Sequence, residues 1–249
     1  MRITRVFSDM PLAVGDTLRL PDEEAHHVHK VLRGRPGDEL EVVDDTGRLF
    51  LAELTGDREA VVLEERPAGV VDEGGVTLYQ AVPKGRHMDL VVEKATELGV
   101  GRVVPLATER GVVKLSRGVV KLSRGDGKVE RWRRVALAAA RQSLRLRVPR
   151  VGEPVPFAEA VREAGEAGVL LHAGPDMVSL EDVVGEGPVG LFVGPEGGWG
   201  DGELALAGEV GLRLASLGPF RLRSETAGVV AVARARAVSE MTKGMTRSG

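Results

Sequence analysis

The chain of 249 residues has no cysteine and no asparagine, and its only glutamines are Gln80 and Gln142. The first absence excludes disulfides, cysteine-based zinc sites and thiol catalysis, and it fits a cytoplasmic protein. The scarcity of amides, with Arg greatly outnumbering Lys, fits either a hot habitat or a GC-rich genome. Aromatic residues make up only 3% of the chain, against 43% hydrophobic and 29% charged residues, a globular rather than a disordered balance. No run approaches the ~18 apolar residues of a membrane span, and the first residues lack a signal peptide's apolar core, so no membrane role is expected. A chain of this length forms one large or two modest domains.

The net charge of -3 hides a strong segregation. Residues 101–150 carry 14 Lys and Arg against Glu109, Asp126 and Glu130, a net +11, so the remainder of the chain is at -14. A concentrated basic region on an otherwise acidic protein is the footprint of a polyanion site, and Arg suits phosphate through its planar fork. A solvated helix face followed by a basic loop is the plainer explanation. Within this region Gly-Val-Val-Lys-Leu-Ser-Arg occurs twice in succession, at 111–117 and 118–124. Seven residues are too few for a solenoid unit. The repeat reads as a local duplication that lengthens a basic loop. It either adds phosphate contacts or is a tolerated insertion, the reading favoured because surface loops accept extra length cheaply.

Two stretches near the end of the chain concentrate the information. Val193-Gly194-Pro195-Glu196-Gly197-Gly198 follows the apolar run Pro188 to Val193, and Ser216 to Ala227 follows the run Leu212 to Leu217. Each run reads as a buried strand, and helical patterns follow at Asp201 to Val210 and Glu225 to Glu240. Glycine at a strand exit lets the backbone approach a ligand and expose its own N–H and C=O groups. Two such exits side by side would frame one pocket at the carboxyl edge of a parallel sheet. The second also holds Arg221, Arg223 and Glu225. Gly-Pro and Gly-Gly are ordinary loop punctuation in a chain with 33 Gly and 13 Pro, so the argument rests on the pair of exits, not on either alone.

Upstream, short apolar runs separated by turn signals predict strands at Thr17 to Leu20, Glu39 to Val43, Leu49 to Leu54 and Ala60 to Glu64. Turns fall at Pro36-Gly37 and Asp45-Thr46-Gly47, and a short helical pattern runs from Asp22 through Arg33. This is a small β-rich unit of about 70 residues, closed by a linker from Pro67 to Gly75. A β-α-β pattern follows: strand Val76 to Val82, a helix with Met88, Val91, Val92, Ala95 and Leu98 on one face and Gly99 as its cap, then strand Val103 to Leu106. A longer helix covers Val129 to Leu144, another Phe157 to Ala164, and a strand Gly168 to Leu171. Strands alternating with helices predict a parallel sheet covered on both faces.

Two motifs point elsewhere. Gly185-Glu186-Gly187-Pro188-Val189-Gly190 satisfies the dinucleotide-binding pattern, but it precedes a strand instead of following one, so nicotinamide or flavin binding is not expected. His26, His27 and His29 have no second cluster of ligands with them, and no metal is expected.

The two loops, together with Lys84-Gly85-Arg86 through Glu97-Leu98-Gly99-Val100, Gln142 to Pro149, and His26-His27-Val28-His29-Lys30-Val31-Leu32-Arg33, resemble the bacterial 16S ribosomal RNA uridine-N3 methyltransferases of the SPOUT superfamily. The resemblance covers nearly the whole chain. It implies a C-terminal SPOUT-type α/β domain over 71–249, a parallel sheet with helices on both faces and a deep trefoil knot, and an N-terminal PUA-like RNA-binding β-barrel over 1–70. It implies S-adenosylmethionine as methyl donor, giving S-adenosylhomocysteine. The cofactor residues it points to are Leu171, His172, Val193, Gly194, Pro195, Glu196, Gly197, Gly198, Ser216, Leu217, Gly218, Leu222, Arg223, Thr226 and Ala227. It also implies 16S ribosomal RNA or the small ribosomal subunit as partner, a homodimer, and a cytoplasmic location. Candidate RNA contacts are His26, Arg33, Arg86, Arg110, Lys114, Arg145 and Arg147. Three features depart from the pattern: Arg141 stands where relatives often have an acidic residue, Leu144 where glycine is common, and the loop is duplicated. All three fall on the RNA-facing segment.

Methyl transfer from such a donor needs alignment of nucleophile and methyl more than covalent help. Uracil N3 carries a weakly acidic imide proton that must leave. Arg223 is the candidate to stabilise the developing negative charge or hold the phosphate, and Glu225 the candidate to take the proton, directly or through a water. Capping beside the helix dipole explains Glu225 as well. N3 lies on the Watson–Crick edge, so the base must be unpaired or flipped out. Ala227, Val230, Ala231 and Arg234 form one stripe of the last helix, which fits a dimer interface or burial within the chain. A superfamily enzyme acting on transfer RNA or another RNA, or an RNA-binding assembly factor without turnover, are the competing readings.

Overall fold

The computed structural model describes residues 4–31, 33–68, 75–116, 119–121, 127–174 and 177–246. They divide into two compact units, the first made of the described residues up to 68 with 140–147 and the second of the remainder. The centre of the expected linker, residues 69–74, lies outside the described residues.

In the first unit β1 (Thr4–Phe7), β2 (Thr17–Arg19), β3 (Glu39–Val43), β4 (Leu49–Leu54) and β5 (Glu59–Arg66) form one sheet in the order β1-β3-β4-β5-β2, with helix α1 (Asp22–His26) continuing into a π-helical turn at His27–Val31. Only β1 and β3 pair in parallel; the other pairs are antiparallel. Alternation places Leu40, Val42, Phe50, Ala52, Leu54, Ala60 and Val62 on one face, where they pack with Leu18, Leu20 and Val28. Gly37 and Gly47, at the two expected turns, have φ of 92° and 90°, which favours glycine. Asp44 opens the second turn. Its buried carboxylate accepts the N–H groups of Leu12, Thr46 and Arg48. Burial alone would push this carboxyl up, but these bonds, with those from the Thr46 hydroxyl and the Arg48 guanidinium, hold it below its ordinary value.

Residues 140–147 belong to this unit through arginines. Arg141 Nη2 lies 2.7 Å from Glu24 Oε1, both side chains being buried. Arg5 donates to the carbonyls of Leu144 and Arg145, and Arg147 to the Thr46 carbonyl at 3.0 Å. Leu144 has φ of 56° and is 55% exposed. An L side chain in that region costs roughly 1–2 kcal/mol, and glycine gives back about 0.5–1 kcal/mol in chain entropy. Leu144→Gly is therefore expected to leave folding stability unchanged or raise it by up to ~1.5 kcal/mol, while Leu144→Val lowers it, as read from urea midpoints.

The second unit contains β6 (Val76–Ala81), α2 (His87–Glu97), β7 (Arg102–Ala107), β8 (Lys114–Ser116), β9 (Val119–Lys121), α3 (Gly127–Gln142), β10 (Arg150–Val151), β11 (Val155–Pro156), α4 (Phe157–Ala164), β12 (Gly168–Leu171), α5 (Leu180–Val183), β13 (Val189–Val193), α6 (Asp201–Val210), β14 (Arg213–Ala215) and α7 (Ser224–Thr246). The last turn of α3, from Ala140, counts with the first unit. The sheet runs β10-β7-β6-β13-β12-β14, with β11 also on β7, and every pair is parallel. β8 and β9 form a separate antiparallel hairpin that joins the two copies of the repeat through Ser116↔Val119; residues 117, 118 and 122–126 lie outside the described residues.

Side chains of the central strands alternate between two cores. Leu78, Val103, Val169, Leu191 and Val193 pack with Met88, Val91, Val92 and Ala95 of α2 and Ala231, Val232 and Ala235 of α7. Tyr79, Val104, Leu170 and Phe192 face α4 and α6 instead. There the scarce aromatics cluster: Tyr79 stacks on Phe192 at 4.3 Å between centroids, and Phe157 meets both Phe192 and Trp199. Elements absent from the sequence reading are β1, β8 to β11 and α5, and β14 is shorter than the Leu212 to Leu217 run.

Candidate active site

Because all strands of the second unit's main sheet run the same way, the exits of β12, β13 and β14 lie together at one edge of that sheet. β12 is flanked by the other two: Leu171 is in register with Val193 on one side and Ala215 on the other. A cavity of about 420 Å³ opens there. It is lined by Leu171 to Ala173 after β12, by Val193 to Glu196, Gly198 and Trp199 after β13, and by Ser216 to Gly218, Phe220 to Ser224 and Ala227 after β14.

The walls are held by specific contacts. Trp199 Nε1 donates to the Leu171 carbonyl at 2.9 Å, and its ring runs so close beneath Gly194 that a Cβ there would sit 3.0 Å from Trp199 Cε2. Ser224 Oγ donates to the Gly194 carbonyl at 2.6 Å and accepts from Gln80 Nε2 at 2.9 Å. A buried amide on β6 thus fixes the start of α7 to the first glycine loop. Gly198 closes that loop with φ of 71° and an N–H bond to the Pro195 carbonyl at 2.9 Å. Glu196 accepts the Lys84 N–H at 3.1 Å, and Arg110 reaches the Gly197 carbonyl at 3.3 Å. Gly218, with φ of 114°, turns the second loop.

Of the residues expected at the cofactor, all line the cavity except Gly197, which faces Arg110, and Thr226, which is exposed on α7. Arg223 lines it and is exposed to solvent. Glu225 does not line it. Its carboxylate is buried, with Oε1 3.5 Å from Nδ1 of His87 at the start of α2. Sequence reasoning missed Ala173, Trp199 and Ser224 as lining residues, and Phe220 at the rim. The stripe on α7 is partly explained within the chain: Ala231 is buried, and Arg234 pairs with Glu181 of α5, holding that carboxyl down to about 2.

The basic segment is thinner than its count. Arg102, Arg131, Arg133 and Arg141 have carboxylate partners in Glu163, Asp89, Glu130 with Glu153, and Glu24. Arg145, expected at RNA, is only 5% exposed and is not a surface contact. His26, Arg33, Arg86, Arg110 and Arg147 are exposed; for Lys114 only the backbone, in β8, is described. His29 Nδ1 pairs with the Gly34 carbonyl at 3.0 Å.

A parallel α/β domain with a glycine-walled cavity at the strand exits is the arrangement of a domain that binds a small-molecule ligand or cofactor. The RNA methyltransferase domain model matches residues 72–236, and the RNA methyltransferase PUA domain model residues 20–65. The chain is 32% identical over 245 residues to the ribosomal RNA small subunit methyltransferase E of Synechocystis, spanning 90% of this chain and 74% of that protein. It is 34% identical to the protein of the same name from Mycobacterium bovis, spanning 84% of this chain and 82% of that one. The crystal structure of the Neisseria gonorrhoeae protein of that name, bound to S-adenosyl methionine, superposes with a TM-score of 0.83 at 29% identity, covering 95% of this chain and 98% of that one. The chain belongs to the ribosomal RNA small subunit methyltransferase E family.

Proposed function

We propose that this chain methylates N3 of a uridine in the 16S RNA of the small ribosomal subunit, using S-adenosylmethionine. The observation that carries the reading is the cavity at the exits of β12, β13 and β14 in a chain of this family. The residues present fit such a donor. The volume lies within the roughly 300–1,000 Å³ of small-molecule sites, Leu171, Leu217 and Leu222 offer apolar walls, and the glycine loops leave main-chain groups open to the adenosine. When bound, the donor supplies an activated methyl with its own leaving group.

The protein's own work is alignment and charge. Arg223, exposed at the rim, stabilises the uracil as its imide proton leaves, or holds its phosphate. Glu225 sits outside the cavity lining beside His87, so in this reading the proton reaches it through a water. Residues 1–70 grip the RNA as a PUA-like domain, and 71–249 carry the catalysis. His26, Arg33, Arg86, Arg110, Lys114 and Arg147 supply phosphate contacts, two chains form a homodimer, and the enzyme works in the cytoplasm, where ribosomal subunits are.

The test incubates the protein and labelled S-adenosylmethionine with small ribosomal subunits that lack the modification, then identifies the labelled nucleoside by mass spectrometry. The expected product is labelled 3-methyluridine. A different labelled nucleoside overturns the N3 assignment, and no label from protein that binds the donor overturns the function. In the same assay Arg223→Ala is expected to lower turnover by about 100-fold and Glu225→Gln by a similar ~100-fold. Wild-type turnover in both variants sinks the assigned roles.

A further inference from the structure

Seven of the eight aromatic side chains are buried or half-buried, whereas Phe220 is 81% exposed. A single exposed apolar residue is ordinary on a protein surface. Phe220 differs in its position, because it stands at the rim of the cavity with the exposed Arg221 and Arg223 close by in the same loop. Its loop is also held from both ends. The Gly218 N–H bonds Ser216 Oγ at 3.3 Å, and Pro219 fixes the backbone just before the ring. Beyond it, the Arg223 carbonyl accepts the Ala227 N–H at 2.8 Å, and Ser224 is tied to the Gly194 carbonyl. Leu217 and Leu222 line the cavity on either side of the outward ring.

We propose that Phe220 is a stacking platform for an unpaired RNA base delivered to the cavity, a positioning role that rests on the methyltransferase reading above. An atom on a base's pairing edge is reached only when that base leaves its helix, which costs its stacking energy. A rigidly presented aromatic face at the point of entry restores part of that energy, and the neighbouring arginines meet the flanking phosphates. The ring recognises any base through its π-face. It therefore contributes to holding RNA, not to choosing the atom methylated.

The test compares the full-length protein with Phe220→Ala, Phe220→Leu and Phe220→Tyr on unmethylated small ribosomal subunits. Base–aromatic stacking is worth about 1–3 kcal/mol, so KM for the subunit is expected to rise about tenfold in the Ala and Leu variants and to stay near wild type in Tyr. Because the ring is 81% exposed at the rim, affinity for S-adenosylmethionine, read by calorimetry, should fall by less than the subunit KM rises in the Ala and Leu variants. An equal loss of both would place the ring in the donor site and overturn the proposal. A Leu variant as good as wild type would show that only apolar bulk matters and overturns the proposal. So does a change of oligomeric state in Phe220→Ala by sedimentation, which would make the ring a contact with a second copy of the chain. If the wild type transfers no methyl to subunits, the functional reading fails. Subunit affinity by filter retention then decides the stacking proposal on its own, with the same ordering expected of the variants.

Discussion

Arg141→Ala is expected to destabilise the protein by about 3–5 kcal/mol at pH 7, the range for removing one partner of a buried ion pair. Glu24 is 3% exposed, and its Oε1 faces Arg141 at 2.7 Å from Nη2 and 3.3 Å from Nε, besides accepting the Phe7 N–H at 3.2 Å. Its second oxygen has no hydrogen-bond partner among the described residues. Even with the arginine present, burial pushes the Glu24 carboxyl above its ordinary value, with Glu23 adding to the rise, while Arg141 and the Phe7 N–H pull it down. Without the arginine it rises further.

The sign of the pH dependence follows. A carboxyl raised in the folded state favours folding while protonated and loses that contribution as pH climbs through its folded value. The deficit of Arg141→Ala should therefore be larger at pH 8 than at pH 5. The double variant Glu24→Gln with Arg141→Met removes both charges and should recover most of the loss, because the cost lies in the stranded carboxylate. Urea midpoints at the two pH values measure all of this. Equal losses in the single and double variants would mean that Arg141 acts by packing alone. The departure at 141 is thus matched by an acidic partner 117 positions earlier.

Much of the second unit was legible because its signals are local. The bounds read for α4 and α6, Phe157–Ala164 and Asp201–Val210, are those observed, each framed by apolar spacing and a breaker. β1 was not, because Thr4–Phe7 has no alternation of its own and becomes a strand by pairing with β3, some 36 residues away. β10 and β11 are two-residue pairs on β7, too short for any period. At the site, the glycine loops announced themselves and the side chains behind them did not. The Gln80–Ser224 bond spans 144 positions, so no spacing reveals it. Glu225 and Thr226 follow Arg223 and Ser224 in sequence, yet each helical residue turns by about 100°, so Ser224 and Ala227 face the cavity together while the two between them point away. Sequence adjacency grouped them, and helical geometry separates them.

That geometry makes Gly194 the position where the smallest change should have a large effect. Gly194→Ala is expected to weaken S-adenosylmethionine binding by roughly tenfold or more and to cost about 1–3 kcal/mol of stability, the range for overpacking a filled site. The new methyl would lie 3.0 Å from Trp199 Cε2 and 3.2 Å from Nε1. The indole cannot give way freely. It is 3% exposed, packed on Phe157, and its N–H is committed to the Leu171 carbonyl. If the backbone moves instead, the Gly194 carbonyl leaves Ser224 Oγ, and the tie between the first loop and α7 loosens. Either response shifts a cavity wall by tenths of an ångström at the strand exits. Gly185→Ala is the control, since nothing lies within 4 Å of its Cβ position, and it should bind the donor like wild type. Calorimetric titration separates the two outcomes. Unchanged affinity in Gly194→Ala, with Trp199 fluorescence also unchanged, would show that the glycine is dispensable to the cavity and that the first loop's main chain is not part of the cofactor site.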